Sequence, residues 1–146
     1  MIKVAVIDDH AVVRMGIAAC LSAASDIVFA GEWSGGQGAA DFVKRVKPDV
    51  VLLDIFMPDM DGLDALATIR SAAPETAVIM LTTSAGDNDV YRAMNLGARG
   101  YMLKDRRDIR IVGCRRAADK SRIRQRNGNS RRWDHGQFLQ NRFSVL

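Results

Sequence analysis

Cysteine and proline are scarce in this sequence, and aromatic side chains are few. Its 146 residues include two cysteines and three prolines, and 6% of them are aromatic. Cys20 and Cys114 lie far apart and form no Cys-x-x-Cys or Cys/His pattern, which argues against a disulfide scaffold or a cysteine-based metal site. We therefore expect reduced thiols without a catalytic role, and a cytoplasmic protein.

Long apolar runs are also missing. None approaches the roughly 18 residues that a helix needs to cross a bilayer, and the first residues combine one lysine, a short apolar run and two acids, unlike a signal peptide. We expect a soluble protein with no membrane partner. Because 48% of the residues are apolar, the chain is long enough to bury the core of about one domain without disulfides or a structural metal.

Charge is distributed unevenly along the chain. Residues 1–104 contain nine basic and 13 acidic side chains, a net charge of −4, whereas residues 105–146 contain 12 and four, a net charge of +8. The basic character of the chain therefore comes from its C-terminal segment alone. It does not make the whole chain a candidate nucleic-acid-binding protein.

Up to Lys104, short β-branched runs alternate with segments of helical periodicity, the pattern of βα units in a parallel sheet. The predicted strands are Ile2–Ile7, Ile27–Ala30, Val50–Leu53, Ala77–Leu81 and Gly100–Leu103. The predicted helices lie near Ala11–Ala24, Gly38–Val46, Leu63–Ser71 and Asp87–Leu96, and a fifth, poorly patterned one near Arg107–Ala118. These elements predict an α/β fold, a doubly wound five-stranded parallel sheet with the flavodoxin-like strand order 2-1-3-4-5.

Polar side chains follow the ends of the predicted strands. Asp8 and Asp9 follow the first strand, and Asp54 follows the third. The residues after the last two strands are Thr82, Thr83 and Lys104. In a parallel sheet these ends lie side by side at the edge where ligands bind. An acidic cluster there can bind a divalent cation while one carboxylate acts as a nucleophile.

Four sequence blocks resemble the receiver domains of bacterial two-component response regulators. They are Val6-Ile7-Asp8-Asp9-His10, Leu53-Asp54-Ile55-Phe56-Met57-Pro58-Asp59-Met60-Asp61-Gly62, Leu81-Thr82-Thr83 and Gly97-Ala98-Arg99-Gly100-Tyr101-Met102-Leu103-Lys104-Asp105. The resemblance covers about residues 2–105. The Asp-Asp-His opening followed by Val13-Arg14-Met15-Gly16-Ile17, together with the Gly-Tyr-Met-Leu-Lys-Asp ending, is most similar to the subfamily that joins a receiver to a LuxR-type helix-turn-helix DNA-binding domain.

The resemblance implies a role for each matching residue. Asp54 would accept a phosphoryl group from the phosphohistidine of a sensor histidine kinase. Lys104 would pair with Asp54 and then with the phosphoryl oxygens. Mg²⁺, a hard cation that prefers oxygen ligands, would be held by Asp8, Asp9, Asp54 and the backbone carbonyl of Phe56.

The resemblance also implies a switch. The Thr82 hydroxyl would move toward the phosphoryl group, and the Tyr101 ring would fill the vacated space. This pair would change the face formed by the fourth helix, fifth strand and fifth helix, through which a homodimer could form. The chain would then be a phosphoacceptor with catalysed self-phosphorylation and slow self-dephosphorylation, rather than an enzyme. Its output would be transcriptional control, with DNA as a partner only where an output domain exists.

Two other functions are compatible with parts of the sequence. One is an aspartyl-phosphate phosphatase that uses Mg²⁺. Such hydrolases resemble each other in an Asp-x-Asp motif, whereas the residues two positions after Asp54 and Asp8 are Phe56 and His10. The other is a nucleic-acid-binding protein that uses the arginine-rich C-terminal segment.

Several polar or flexible residues near the motifs have structural interpretations. His10 either lines the site or simply begins a helix. The acids Asp59, Asp61 and Asp64 are interpreted as solvated loop acids that at most cap a helix. The segment Gly35-Gly36-Gln37-Gly38 lacks the Lys-Ser/Thr of a phosphate-binding loop and is interpreted as a flexible loop.

The segment after Lys104 departs from the family pattern. Residues 106–146 contain eleven arginines but no glutamate or proline, and one hypothesis is that a shifted reading frame encodes them. We assign residues 1–118 to a receiver domain and residues 119–146 to a basic tail that buries too little apolar surface to fold. Loss of the family's fifth helix would expose apolar surface on one side of the sheet.

Overall fold

The computed structural model describes residues 1–83, 86–104, 114–115 and 117–119. The side chain of residue 87 and the remaining residues lie outside this description. Most of the predicted fifth helix and nearly all of the predicted tail therefore lie outside the described residues. The reading-frame hypothesis and the nucleic-acid-binding alternative concern that same segment, so they also fall outside them.

Strands and helices alternate along the described chain. In order they are β1 (Ile2–Ile7), α1 (Ala11–Ser22), β2 (Ile27–Trp33), α2 (Ala39–Val46), β3 (Val50–Asp54), α3 (Gly62–Ala72), β4 (Ala77–Thr82), α4 (Asp87–Asn95) and β5 (Gly100–Leu103). All neighbouring strands pair in parallel, in the order β2-β1-β3-β4-β5. The predicted α/β fold and strand order are confirmed. None of the helices in the described part of the chain has the length and apolar character of a membrane span.

The sheet is buried between two apolar layers. Successive residues of a strand face opposite sides, so Val4 and Val6 of β1 join one core cluster, and Ala5 and Ile7 join the other. Helices α2 and α3 cover the second side with residues such as Phe42, Val43, Leu66 and Ile69. Strands covered on both sides have apolar residues at nearly every position, and β3 and β4 show this as the continuous apolar runs Val50–Leu53 and Ala77–Leu81.

Strand β2 continues three residues beyond its predicted end. The pairing of β1 with β2 shifts register between Val4 and Ala5, because the partner of Val4 is Phe29 and the partner of Ala5 is Gly31. The extra residue is a bulge, and Gly31 adopts a φ of 145° there. The strand then runs on to Trp33, which pairs with Ile7 beside the candidate site.

Residues beyond β5 cover part of the sheet face on the α1 side. Cys114, Ala117 and Ala118 are buried in the same cluster as Ile17 and Leu21 of α1. Arg115 Nε and Nη2 each donate a 2.6 Å hydrogen bond to the carboxylate of Asp26, just before β2. These residues therefore cover the sheet face where they contact it, and apolar surface is not left exposed there. Burial raises the pKa of the Cys114 thiol to about 12, so the thiol stays neutral.

Candidate functional site

The predicted site residues come together at the carboxyl edge of the sheet. Asp8 follows β1, Asp54 ends β3, Thr82 ends β4 and Lys104 follows β5. Backbone hydrogen bonds hold the strand ends together, with Lys104 N donating to Thr82 O at 2.8 Å and Ile55 N donating to Leu81 O at 3.1 Å. The loops after the strands therefore present their side chains at one place, as the sequence predicts.

The Lys104 ammonium lies between two buried carboxylates. Its Nζ is 2.7 Å from Asp8 Oδ2 and 3.0 Å from Asp54 Oδ1. The side chains are 10%, 0% and 2% exposed, respectively. The attraction between charges shielded from water in this way is stronger than at the surface, but the desolvation of both groups opposes that gain.

Burial changes the proton affinity of these groups. Desolvation raises the pKa of Asp54 from 3.8 to about 6, although its hydrogen bond with Lys104 opposes the rise. Burial alone would lower the pKa of Lys104, but the hydrogen bonds with Asp8 and Asp54 outweigh it and raise that pKa. Lys104 therefore stays charged, while the pKa of Asp54 is about 6, above its ordinary value.

His10 lies against the acidic pair and also begins α1, so both of its interpretations hold. Its Nδ1 is 3.1 Å from Asp8 Oδ1 and 3.0 Å from Asp9 Oδ1, and its backbone N–H donates to Asp8 Oδ1 at 2.8 Å. His10 is the N-cap residue of α1, but its side chain makes no capping hydrogen bond to the helix. The imidazole is therefore oriented by the carboxylates rather than by the helix.

The acidic cluster has the donors that a divalent cation requires. One ligand atom each from Asp8, Asp9, His10 and Asp54 lies within 4.8 Å of the other three. Asp54 Oδ2 is buried and has no hydrogen-bond partner among the described residues. The Phe56 amide donates to the other oxygen, Asp54 Oδ1, at 3.3 Å. The residues present thus fit a hard cation with oxygen ligands.

Thr82 and Tyr101, the two residues of the predicted switch, form a hydrogen bond with each other. Thr82 is fully buried, whereas Thr83 is exposed, so only the first of these adjacent threonines faces the interior. The Thr82 side chain hydrogen-bonds to Tyr101, whose ring is partly buried against the core. Desolvation raises the pKa of the Tyr101 phenol, which keeps it protonated. The two side chains are therefore in direct contact.

Arg14 supports the acidic loop, a role that sequence reasoning missed. Its Nη1 donates to the Asp8 carbonyl at 2.8 Å, and its Nε donates to Glu32 Oε1 at 3.1 Å. The Arg14 side chain is only 13% exposed. Glu32 reaches it because of the bulge that lengthens β2, which the apolar pattern did not reveal. The only sign of this role in the sequence was the position of Arg14, one helical turn after His10, on the same side of α1 as the acidic loop.

Asp59 is an exposed loop acid, as predicted, but it also connects two loops, a role that sequence reasoning missed. Its carboxylate accepts hydrogen bonds from Gly36 N at 3.1 Å and Gln37 N at 2.8 Å, which lower its pKa. The glycine-rich loop is thus held against the loop after β3. Asp61 does cap α3, accepting a 2.8 Å hydrogen bond from Leu63 N.

Gly62 allows the chain after Asp54 to turn back tightly. Its amide donates a 2.7 Å hydrogen bond to the Ile55 carbonyl. A Cβ at this position would lie 2.1 Å from the Asp54 carbonyl oxygen. Glycine is therefore required because two backbone segments approach each other closely.

Comparison with known proteins places this geometry in a family. The family model of the response regulator receiver domain matches residues 4–113. The response regulator protein VraR of Staphylococcus saprophyticus is 44% identical over 103 residues, which cover 70% of this chain and 49% of that protein. The chain thus spans about half the length of the curated relatives it matches.

Solved structures agree with this match. The signal receiver domain of NarL from Mycobacterium tuberculosis is 34% identical with a TM-score of 0.72, covering 83% of this chain and 96% of that one. A LuxR-family DNA-binding response regulator from Staphylococcus aureus shares the fold at 24% identity and a TM-score of 0.74, covering 81% of this chain and 99% of that one. With its acidic edge, its buried lysine and these matches, the chain belongs to the family of response regulator receiver domains.

Proposed function

We propose that this chain is the phosphoacceptor of a two-component phosphorelay, with Asp54 receiving the phosphoryl group from a phosphohistidine of a sensor histidine kinase. An Asp54 oxygen would attack phosphorus, the phosphorus–nitrogen bond would break, and the imidazole of the donor would keep the electron pair and take up a proton. The observation that carries this proposal is the Asp54 carboxylate, with one oxygen on Lys104 and the other without a hydrogen-bond partner among the described residues.

The surrounding charges suit a transferred phosphoryl group. Lys104 is already 3.0 Å from Asp54 Oδ1 and would pair with the added oxygens. Asp8 and Asp9, with Asp54 and the Phe56 carbonyl, would hold Mg²⁺, which when bound neutralises charge on the phosphoryl oxygens. Thr82 would donate its hydroxyl to the same oxygens and release Tyr101 from their hydrogen bond.

A phosphoacceptor is supported over a dedicated phosphatase. Two residues after Asp54 the chain has Phe56, whose side chain is 56% exposed and carries no proton to transfer. A water that attacks the acyl phosphate would therefore lack the base that a phosphatase supplies. The chain would catalyse its own phosphorylation and lose the group slowly, without acting as an enzyme on other molecules.

Exposed apolar side chains mark surfaces for the proposed partners. On α1, next to the acidic loop, Val12 and Met15 are 81% and 69% exposed and lie on one helical face. We assign them to contact with the kinase. Tyr91 of α4 and Leu96, the residue that follows α4, are 59% and 40% exposed, and the proposed switch at Tyr101 would act on the face formed by α4 and β5. That face would form a phosphorylation-dependent homodimer, and DNA would be a partner only where a LuxR-type output domain exists.

Labelling by a small phosphoryl donor tests the proposal. The purified chain is incubated with acetyl phosphate and Mg²⁺, and its intact mass is followed over time. We expect one added phosphoryl group, lost slowly after the donor is removed. Asp54→Asn and chelation of Mg²⁺ should each abolish the labelling. The matched control Asp64→Asn, which changes an exposed acid in the first turn of α3, should label normally. Labelling that persists in Asp54→Asn would refute the assignment, and rapid release would favour a phosphatase.

A further inference from the structure

We propose that His10 supplies a nitrogen ligand to the cation held by Asp8, Asp9 and Asp54, so that the site prefers divalent transition metals such as Co²⁺ and Ni²⁺ over Mg²⁺. The inference rests on the proposed function because it uses the same acidic cluster. It assigns that cluster a second class of metal and gives His10 a binding role.

The ligand atoms are close enough to share one ion. His10 Nδ1 is 3.0 Å from Asp9 Oδ1 and 3.1 Å from Asp8 Oδ1, and all four residues offer one ligand atom within 4.8 Å of the others. Ligands on opposite sides of an ion with bonds of about 2.0–2.4 Å are roughly 4–4.8 Å apart. A single ion between these residues is therefore compatible with the backbone as it stands.

The buried oxygen of Asp54 points independently to a ligand. Asp54 is 2% exposed, and its Oδ2 has no hydrogen-bond partner within the described ranges. An unpaired buried carboxylate oxygen is costly, and coordination of a cation removes that cost. Three carboxylates and the Lys104 ammonium have a formal net charge of −2, which one divalent ion neutralises.

His10 is free to act as a ligand because the helix does not use its side chain. It makes no capping hydrogen bond to α1, and its ring is 61% exposed. Its backbone N–H is held by Asp8 Oδ1 at 2.8 Å. The main chain therefore anchors the residue at the site, and Nδ1 already lies beside the two carboxylates that would share the ion.

The chemistry of the donor set predicts the preference. Mg²⁺ keeps oxygen ligands and several waters, so an imidazole adds little to its affinity. Co²⁺ and Ni²⁺ bind imidazole well, and their affinity for mixed nitrogen and oxygen sites exceeds that of earlier divalent metals. His10 should therefore increase the affinity for these ions far more than the affinity for Mg²⁺.

Metal titration of the untagged full-length chain tests this preference. The chain contains two histidines, so His135→Ala is a matched control for His10→Ala; His135 lies outside the described residues. Dissociation constants for Co²⁺ and Mg²⁺ are measured by calorimetry, and the visible spectrum of bound Co²⁺ reports the loss of a nitrogen ligand. His10→Asn, which keeps a favourable N-cap residue, guards against a folding defect.

The expected result is a differential loss. Both His10 variants should weaken Co²⁺ binding by about tenfold or more, several times more than they weaken Mg²⁺ binding, and should change the Co²⁺ spectrum. His135→Ala should do neither. Equal losses for the two metals, or an unchanged spectrum, would overturn the role of His10 while leaving the acidic site intact. If Asp9→Asn and Asp54→Asn also leave both affinities unchanged, the cation site of the proposed function is refuted as well.

Discussion

Replacing Asp54 with asparagine should stabilise the metal-free protein near neutral pH. In the fold, desolvation raises the pKa of Asp54 from 3.8 to about 6. A difference of one pKa unit corresponds to about 1.4 kcal/mol, so the ionised carboxylate lowers the free energy of unfolding by roughly 3 kcal/mol. The penalty is absent below about pH 4, where Asp54 is protonated in both states, and complete above about pH 6. Asp54→Asn removes it while keeping the shape of the side chain.

Urea unfolding in the presence of a chelator, followed by circular dichroism across this pH range, measures the effect. We expect Asp54→Asn to gain roughly 2–3 kcal/mol over the wild type above pH 6 and almost nothing below pH 4. Asp64→Asn, in the first turn of α3, should instead lose up to about 1 kcal/mol. A variant that is no more stable than the wild type above pH 6 would show that burial of Asp54 does not oppose its ionisation.

Three other substitutions test separate parts of the site. Lys104→Met removes a hydrogen bond that lowers the pKa of Asp54, so an NMR titration should place that pKa above about 6, and an unchanged value would contradict the ion pair. Gly62→Ala places a Cβ 2.1 Å from the Asp54 carbonyl oxygen, and thermal unfolding should show a loss of about 1–3 kcal/mol; wild-type stability would argue against the close approach. Tyr101→Phe removes the hydroxyl that is hydrogen-bonded to Thr82 and should lower the free energy of unfolding in urea by about 1 kcal/mol. An unchanged free energy of unfolding would mean that this bond does not stabilise the unphosphorylated state.

Much of the fold was predictable because its strands are buried on both sides. Runs such as Val50–Leu53 are apolar without alternation, which is typical of a central parallel strand. The end of β2 was predicted too early, since a bulge at Gly31 interrupts the pattern without ending the strand. Local periodicity does not show that pairing with β1 resumes after the bulge.

The members of the site were predictable because they follow strand ends, but their supports were not. Asp54 and Lys104 were identified in this way, and the structure brings them within 3.0 Å. Arg14 donates to the Asp8 carbonyl six residues earlier, and Asp59 accepts from the Gly36 amide 23 residues earlier, so both act through backbone atoms of other segments. Such bonds depend on loop geometry, which the order of residue types does not determine.

A crystal structure of the chain with Mg²⁺ and beryllium fluoride, an analogue of a transferred phosphoryl group, tests the central claim most directly. The account predicts the analogue on an Asp54 oxygen, with the Lys104 ammonium and the Thr82 hydroxyl on its fluorines and the metal held by Asp9 and Asp54. An analogue bound to another carboxylate, or Lys104 turned away from it, would contradict the account.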